Sequence, residues 1–131
     1  MGENNRTEKA TFAAGCFWSA EAAFRKVEGV RDTEVGFMDG AEVVNVAYDP
    51  QEISFDELID AFWESHNPGL PPGGMERSAI FTHSEKQAAS AKAAKEGRGQ
   101  TTKVNTQIAP SANFQRADEK HQRYYEKRGI G

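Results

Sequence analysis

The chain has 131 residues, 37% of them hydrophobic, and 16 Lys and Arg against 20 Asp and Glu give a formal net charge of −4. That length suits one domain with a real core, and the mild acidity excludes a basic face for nucleic acid. No run approaches the length of a membrane span, and the polar stretch 1–9 lacks the apolar core of a secretion signal. One domain over 1–131 is expected, with a flexible tail at 1–8 and no nucleic acid or membrane partner.

The predicted elements alternate. The apolar stretch Ala10-Thr11-Phe12-Ala13 predicts a buried strand near 9–13, and Phe17 opens a helix to about 27 that Glu28-Gly29 ends. Strands are expected near 32–37 and 42–48, joined by the short turn Met38-Asp39-Gly40, and Asp49-Pro50 closes the second. Ser54-Phe55-Asp56-Glu57 has the form of a capping box, and Phe55, Leu58, Ile59 and Phe62 give the helix it opens an apolar face, through about 65. Residues 67–74 hold three prolines and three glycines and read as a loop. A strand near 77–82, an alanine-rich helix capped at Ser84-Glu85-Lys86-Gln87, a strand near 103–108 and a helix near 118–127 complete the chain. The β-α-β-β-α-β order is the ferredoxin-like pattern, an α+β fold with a mainly antiparallel sheet and packed helices.

Cys16 is the only cysteine, so a disulfide within the chain is impossible and any redox role uses an outside thiol or a second copy. It sits in Ala14-Gly15-Cys16-Phe17-Trp18, where a strand ends and a helix begins. Unpaired amides and the positive end of the helix dipole gather there, and both favour a thiolate, the nucleophilic form. Gly15 gives the backbone room for a tight turn. Phe17 and Trp18 place two aromatics beside the sulfur, as walls of an apolar pocket or as core packing. A buried, inert cysteine is the competing reading. A single cysteine suits a reducing cytoplasm, and a cytoplasmic monomer is expected. One cysteine and three scattered histidines make no metal site by spacing.

Residues 10–24 resemble the signature of the peptide methionine sulfoxide reductase A family, Gly-Cys-Phe-Trp followed by a helix. Further matches follow in order: Ala41-Glu42-Val43-Val44 with Val46-Ala47-Tyr48-Asp49-Pro50, Phe62-Trp63-Glu64-Ser65-His66-Asn67-Pro68, Arg77-Ser78-Ala79-Ile80-Phe81, Thr106-Gln107-Ile108-Ala109-Pro110 and His121-Gln122-Arg123-Tyr124-Tyr125. They span residues 9–128. The resemblance implies the ferredoxin-like core with elaborations and thiol-dependent reduction of methionine S-sulfoxide. Cys16 would be the nucleophile, ending as a sulfenic acid, and Glu42 the acid. Phe17 and Trp18 would receive the substrate methyl. No bound cofactor is expected. With no second cysteine, the reductant would be an external thiol: thioredoxin, glutaredoxin, glutathione or a similar molecule.

The chemistry asks for the same parts. A thiolate attacks a sulfoxide sulfur only as the oxygen gains a proton, so the site needs a nucleophile, an acid and an apolar pocket. Partial burial at the start of an apolar strand would raise the Glu42 carboxyl and keep it protonated, whereas a solvent-facing strand residue would stay ionised. The departures bear on substrate. Only Met38-Asp39-Gly40 stands where typical members carry a long loop with an oxygen-binding tyrosine. Glu76 replaces a second tyrosine, Gly40 a histidine and Ser19 a glycine, and Leu70-Pro71-Pro72-Gly73-Gly74 lacks the pocket aspartate. A hydrogen bond to developing charge is worth about 1.5–3 kcal/mol, so two lost hydroxyls predict roughly a hundredfold slower step or more unless replaced. Glu76, as a protonated carboxylic acid, and His66 are the candidates to compensate. His66 also reads as a hydrogen-bonded residue at a helix end. His83 and His121 read as exposed. A reductase of another small sulfoxide on the same scaffold and a non-catalytic redox-sensing thiol protein are the alternatives. An acid at Glu42 favours an enzyme.

Overall fold

A computed structural model describes residues 6–71 and 73–129. The elements run β1 (Glu8–Ala14), α1 (Phe17–Arg25), β2 (Val30–Met38), β3 (Ala41–Tyr48), α2 (Phe55–Ser65), β4 (Ser78–Thr82), α3 (Glu85–Gly99), β5 (Gln107–Pro110), β6 (Phe114–Arg116) and α4 (Tyr124–Lys127). Six strands form one sheet in the order β5-β4-β1-β3-β2-β6. The inner four, β4-β1-β3-β2, pair antiparallel throughout, as the ferredoxin-like pattern requires. β5 is parallel to β4, and β6 adds an antiparallel edge beside β2. Of the residues expected in a tail, 1–5 lie outside the described ones. Glu8 instead begins β1, where its carboxylate accepts the Tyr48 hydroxyl at 3.1 Å.

Alternation along β1 decides which side chains meet the helices. Ala10, Phe12 and Ala14 share one face with Val44, Val46 and Ile80, and α1 and α2 lie over it. Phe12 stacks on Phe24 of α1 at 4.9 Å and on Phe62 of α2 at 5.3 Å. Each of these fully buried rings contributes about 2–3 kcal/mol through its burial. The opposite face carries a smaller cluster of Ala13, Met38, Ala41, Val43, Ala79 and Phe81.

Local chemistry sets the ends of the elements. Both halves of the Ser54–Glu57 capping box are present. At Ser84 only half forms, because the Gln87 side chain turns away to the His83 N–H and the Lys9 carbonyl. β2 and β3 join through Asp39 and Gly40 alone, with φ of 52° and 75°. Two positive φ values in a two-residue loop, filled by Asp-Gly, match the twist of the strands on either side. Gly36 has a different use: a Cβ there would stand 2.2 Å from the Gln115 carbonyl, so its hydrogen lets β6 pair against β2.

The C-terminal segment departs from the expected helix over 118–127. It forms a 3₁₀ turn, Glu119–His121, breaks at Arg123 with φ 51°, and resumes as the short α4. Gln122 explains the break. Its buried amide accepts from the Val35 N–H at 2.8 Å and donates to the Val35 and Ala117 carbonyls at 2.9 Å each. A helix that kept its regular course would lose these tertiary bonds. The strand expected near 103–108 begins later, at Gln107, and β6 was not expected, being three residues long with two of them exposed.

Candidate active site

Cys16 is the N-cap of α1, with extended backbone angles of −65° and 128°. Gly15 before it has φ 77°, a value that favours glycine and turns the chain from the end of β1 into the helix. The Cys16 carbonyl accepts from the Ala20 N–H and the Ser19 hydroxyl, each at 3.1 Å. The residue is half-buried.

Glu42, second in β3, projects across to this turn. One of its carboxyl oxygens accepts the Phe17 N–H at 3.0 Å. Sequence reasoning left that amide free to favour a thiolate, and the structure gives it to the acid. Glu42 is half-buried, and its carboxyl lies above the ordinary carboxylate range. Burial is the main cause; the Phe17 N–H opposes it, the neighbouring Glu76 charge adds to it, and His121 works against it. Glu76 reaches the same point from the segment before β4. The Cys16 Sγ and one oxygen each from Glu42 and Glu76 lie within 4.8 Å of one another. A nucleophile and two carboxyls, remote in sequence, thus meet at one end of the sheet.

The aromatics divide. Phe17 is buried, its ring 5.6 Å from Phe37 and 5.8 Å from His121, so much of it serves the core. Trp18 is half-buried, stacks on Tyr124 at 3.7 Å with the planes 6° apart, and donates its indole N–H to His121 Nδ1 at 3.2 Å. His121 is therefore no exposed helix residue, as the sequence suggested: it stands against both aromatics that follow the cysteine. Its place depends on Gln122 and on Glu21, a buried carboxylate in α1 that accepts the Arg123 N–H at 2.6 Å and the Thr33 hydroxyl at 2.7 Å. Neither residue carries a local signal for this role, because Val35 and Arg123, which they hold, lie 87 and 102 positions away. His83 is exposed as expected, with Nε2 2.8 Å from the Thr11 hydroxyl.

His66, expected among the substrate-binding residues, is engaged elsewhere. Nδ1 donates to the Phe62 carbonyl at 2.8 Å, and Nε2 meets the Ser78 hydroxyl at 2.8 Å, which meets the Thr106 hydroxyl at 2.8 Å. Burial holds the ring below its ordinary value, which favours the neutral form. It ties the end of α2 to β4, with both nitrogens used.

Comparison with known proteins agrees with the architecture. The family model described as peptide methionine sulfoxide reductase matches residues 8–42 and 39–130. The two segments overlap over residues 39–42, at the Asp39-Gly40 turn and the start of β3. A relative named peptide methionine sulfoxide reductase MsrA, from Methanoculleus marisnigri, is 42% identical over 158 aligned positions, covering 100% of this chain and 96% of its own. Those positions outnumber the 131 residues present here, so the chain is shortened within the match. Among solved structures, reduced Mxr1 from Saccharomyces cerevisiae superposes with a TM-score of 0.87 at 30% identity, covering 97% of this chain and 88% of that one. The same yeast protein in complex with Trx2 matches with a TM-score of 0.72 at 33% identity, covering 92% and 86%. No helix among the described residues is long and apolar enough to cross a membrane. By the reach of the family model and the identity to its members, this chain belongs to the peptide methionine sulfoxide reductase family.

Proposed function

We propose that the chain reduces methionine S-sulfoxide to methionine, with Cys16 as nucleophile and Glu42 as general acid. The observation that carries this reading is the meeting of the Cys16 sulfur with a half-buried carboxyl that burial raises above its ordinary value. The thiol proton passes to Glu42, leaving a thiolate and a neutral acid. The thiolate attacks the sulfoxide sulfur as Glu42 protonates the oxygen. The S–O bond then breaks, hydroxyl passes to Cys16 and methionine departs. The substrate sulfur gains two electrons, Cys16 loses two, and a thiol plus a sulfoxide become a sulfenic acid plus a thioether. An outside thiol next displaces water from the sulfenic acid to give a mixed disulfide, and a second thiol releases Cys16 and leaves as the disulfide. The lone cysteine favours that route. Thioredoxin, glutaredoxin and glutathione are the proposed reductants, and the capture of the yeast relative with Trx2 favours the first. Such a thiol cycle fits a monomer working in the reducing cytoplasm.

Phe17 and the edge of Trp18 are proposed to receive the substrate methyl. The two-residue Asp39-Gly40 turn supports a second reading, a preference for small sulfoxides. Peptide-bound substrate loses the wall that a longer connection at this position would supply.

Substrate added without reductant, followed by dimedone, should label Cys16, and dithiothreitol should sustain turnover. Cys16→Ser should lose both. Label absent from a folded protein incubated with free and peptide-bound S-sulfoxide would overturn the assignment.

A further inference from the structure

The backbone holds Glu76 between two fixed points. Met75, before it, gives its carbonyl to the Glu42 N–H at 2.7 Å. Arg77, after it, donates to the Asp39 and Gly74 carbonyls at 2.7 and 2.8 Å and to the Gln107 side chain at 3.0 Å. Arg77, its neighbour in sequence, is thus committed to the β2–β3 turn, where it also faces the Asp39 carboxylate. Glu76 itself is exposed, and its carboxyl still lies within 4.8 Å of both the Cys16 sulfur and a Glu42 oxygen.

The reaction proposed above needs one proton shared between Cys16 and Glu42: on Glu42 when the substrate arrives, with the charge on sulfur. With two protons the nucleophile is missing; with none the acid is missing. The two titration steps belong to the pair rather than to either member. A fixed negative charge beside both groups makes each loss of a proton more costly, so it moves both steps to higher pH.

Resting on that reading of the site, we propose that Glu76 is a positioning residue that acts by charge: it moves the pH window in which Cys16 and Glu42 share one proton toward alkaline pH. The other groups facing Glu42 are accounted for. The Phe17 N–H of α1 stabilises its ionised form, and His121, from the 3₁₀ turn, would do so only as a cation. Nδ1 of that ring accepts the Trp18 indole N–H. The Asp39 charge is paired with Arg77.

The test is the pH profile of single-turnover sulfoxide reduction at saturating substrate for wild type, Glu76→Gln and Glu76→Asp. Glu76→Gln should move both limbs to lower pH by about half to one unit, the interaction being weakened by solvent around Glu76. Glu76→Asp should keep the limbs near wild type. Limbs that stay in place overturn the proposal. If the maximum rate then falls tenfold or more, Glu76 is a hydrogen-bonding contact to substrate; if it is unchanged, Glu76 is a bystander. Titration of Glu42 by carboxyl carbon NMR in the full chain keeps the proposal separate from the activity. A midpoint that drops in Glu76→Gln supports the charge role even if no sulfoxide is reduced, and an unmoved midpoint overturns it even in an active enzyme.

Discussion

Glu42 illustrates how one side chain serves both structure and chemistry. Its carboxyl caps the first amide of α1 and stands at the cysteine, in a setting where burial favours the protonated form. Glu42→Gln retains an acceptor for the Phe17 N–H and removes the transferable proton. The rate of sulfenic acid formation should fall about 10²-fold or more, within the usual range for general acid catalysis. The sign for stability runs the other way. A carboxyl raised in the folded state stabilises while protonated, and that contribution is lost as pH rises through the raised value. At pH 8 the variant should therefore melt at or above the wild-type temperature. Rapid-mixing kinetics and a thermal melt on the same sample check both, and wild-type single-turnover rates in the variant would move the acid role to Glu76.

Two elements shape the ground around these residues. The Asp39-Gly40 turn closes β2 onto β3 in the fewest residues a hairpin uses, and Arg77 fastens it to the approach to β4. On the other side, the 3₁₀ turn and α4 hold His121 and Tyr124 against Trp18. The anchor of that segment is Gln122. Replacing it with Ala strands the Val35 amide and carbonyl and leaves a small void, so a loss of about 2–4 kcal/mol is expected in chemical denaturation. The Trp18 environment should loosen with it, read as a shift of tryptophan emission before global unfolding. An unchanged denaturation midpoint would show that the three side-chain bonds are replaced by water at little cost.

At the scale of the molecule, the sheet brings together residues from the end of β1, the start of β3 and the approach to β4, because β1 lies between those two strands. The site therefore opens at the rim of the sheet. Its neighbour Met75 is 53% exposed and lines a concave surface with Phe37, Asp39 and Gly40. So open a rim lets water weaken every hydrogen bond made to a substrate. In a panel of sulfoxides, kcat/KM for a peptide carrying methionine S-sulfoxide should fall well below that for the best small sulfoxide. Peptide substrate at the head of the panel would mean that Glu76 and the 67–74 loop rebuild the missing wall.

The legible part of this protein was its local part. Apolar period, turn residues and capping boxes placed β1 to β4 and α1 to α3 within a few residues, and their order carried the ferredoxin-like core, since each signal lies within one element. Cys16 was legible because Gly15 and the helix start stand beside it. Glu42 and Glu76 were legible only through resemblance to a family. Nothing near Glu42 in sequence marks it as the cap of a helix that begins 25 residues earlier. Tertiary structure alone decided the rest. It joined Nε2 of His66 to Ser78 in β4, brought His121 to Trp18, and bent the C-terminal helix around Gln122. In each case a polar group removed from water had to find a partner, and the partner lay on another element. Sequence patterns record what a segment does by itself, whereas these bonds exist only once the sheet has brought distant segments together.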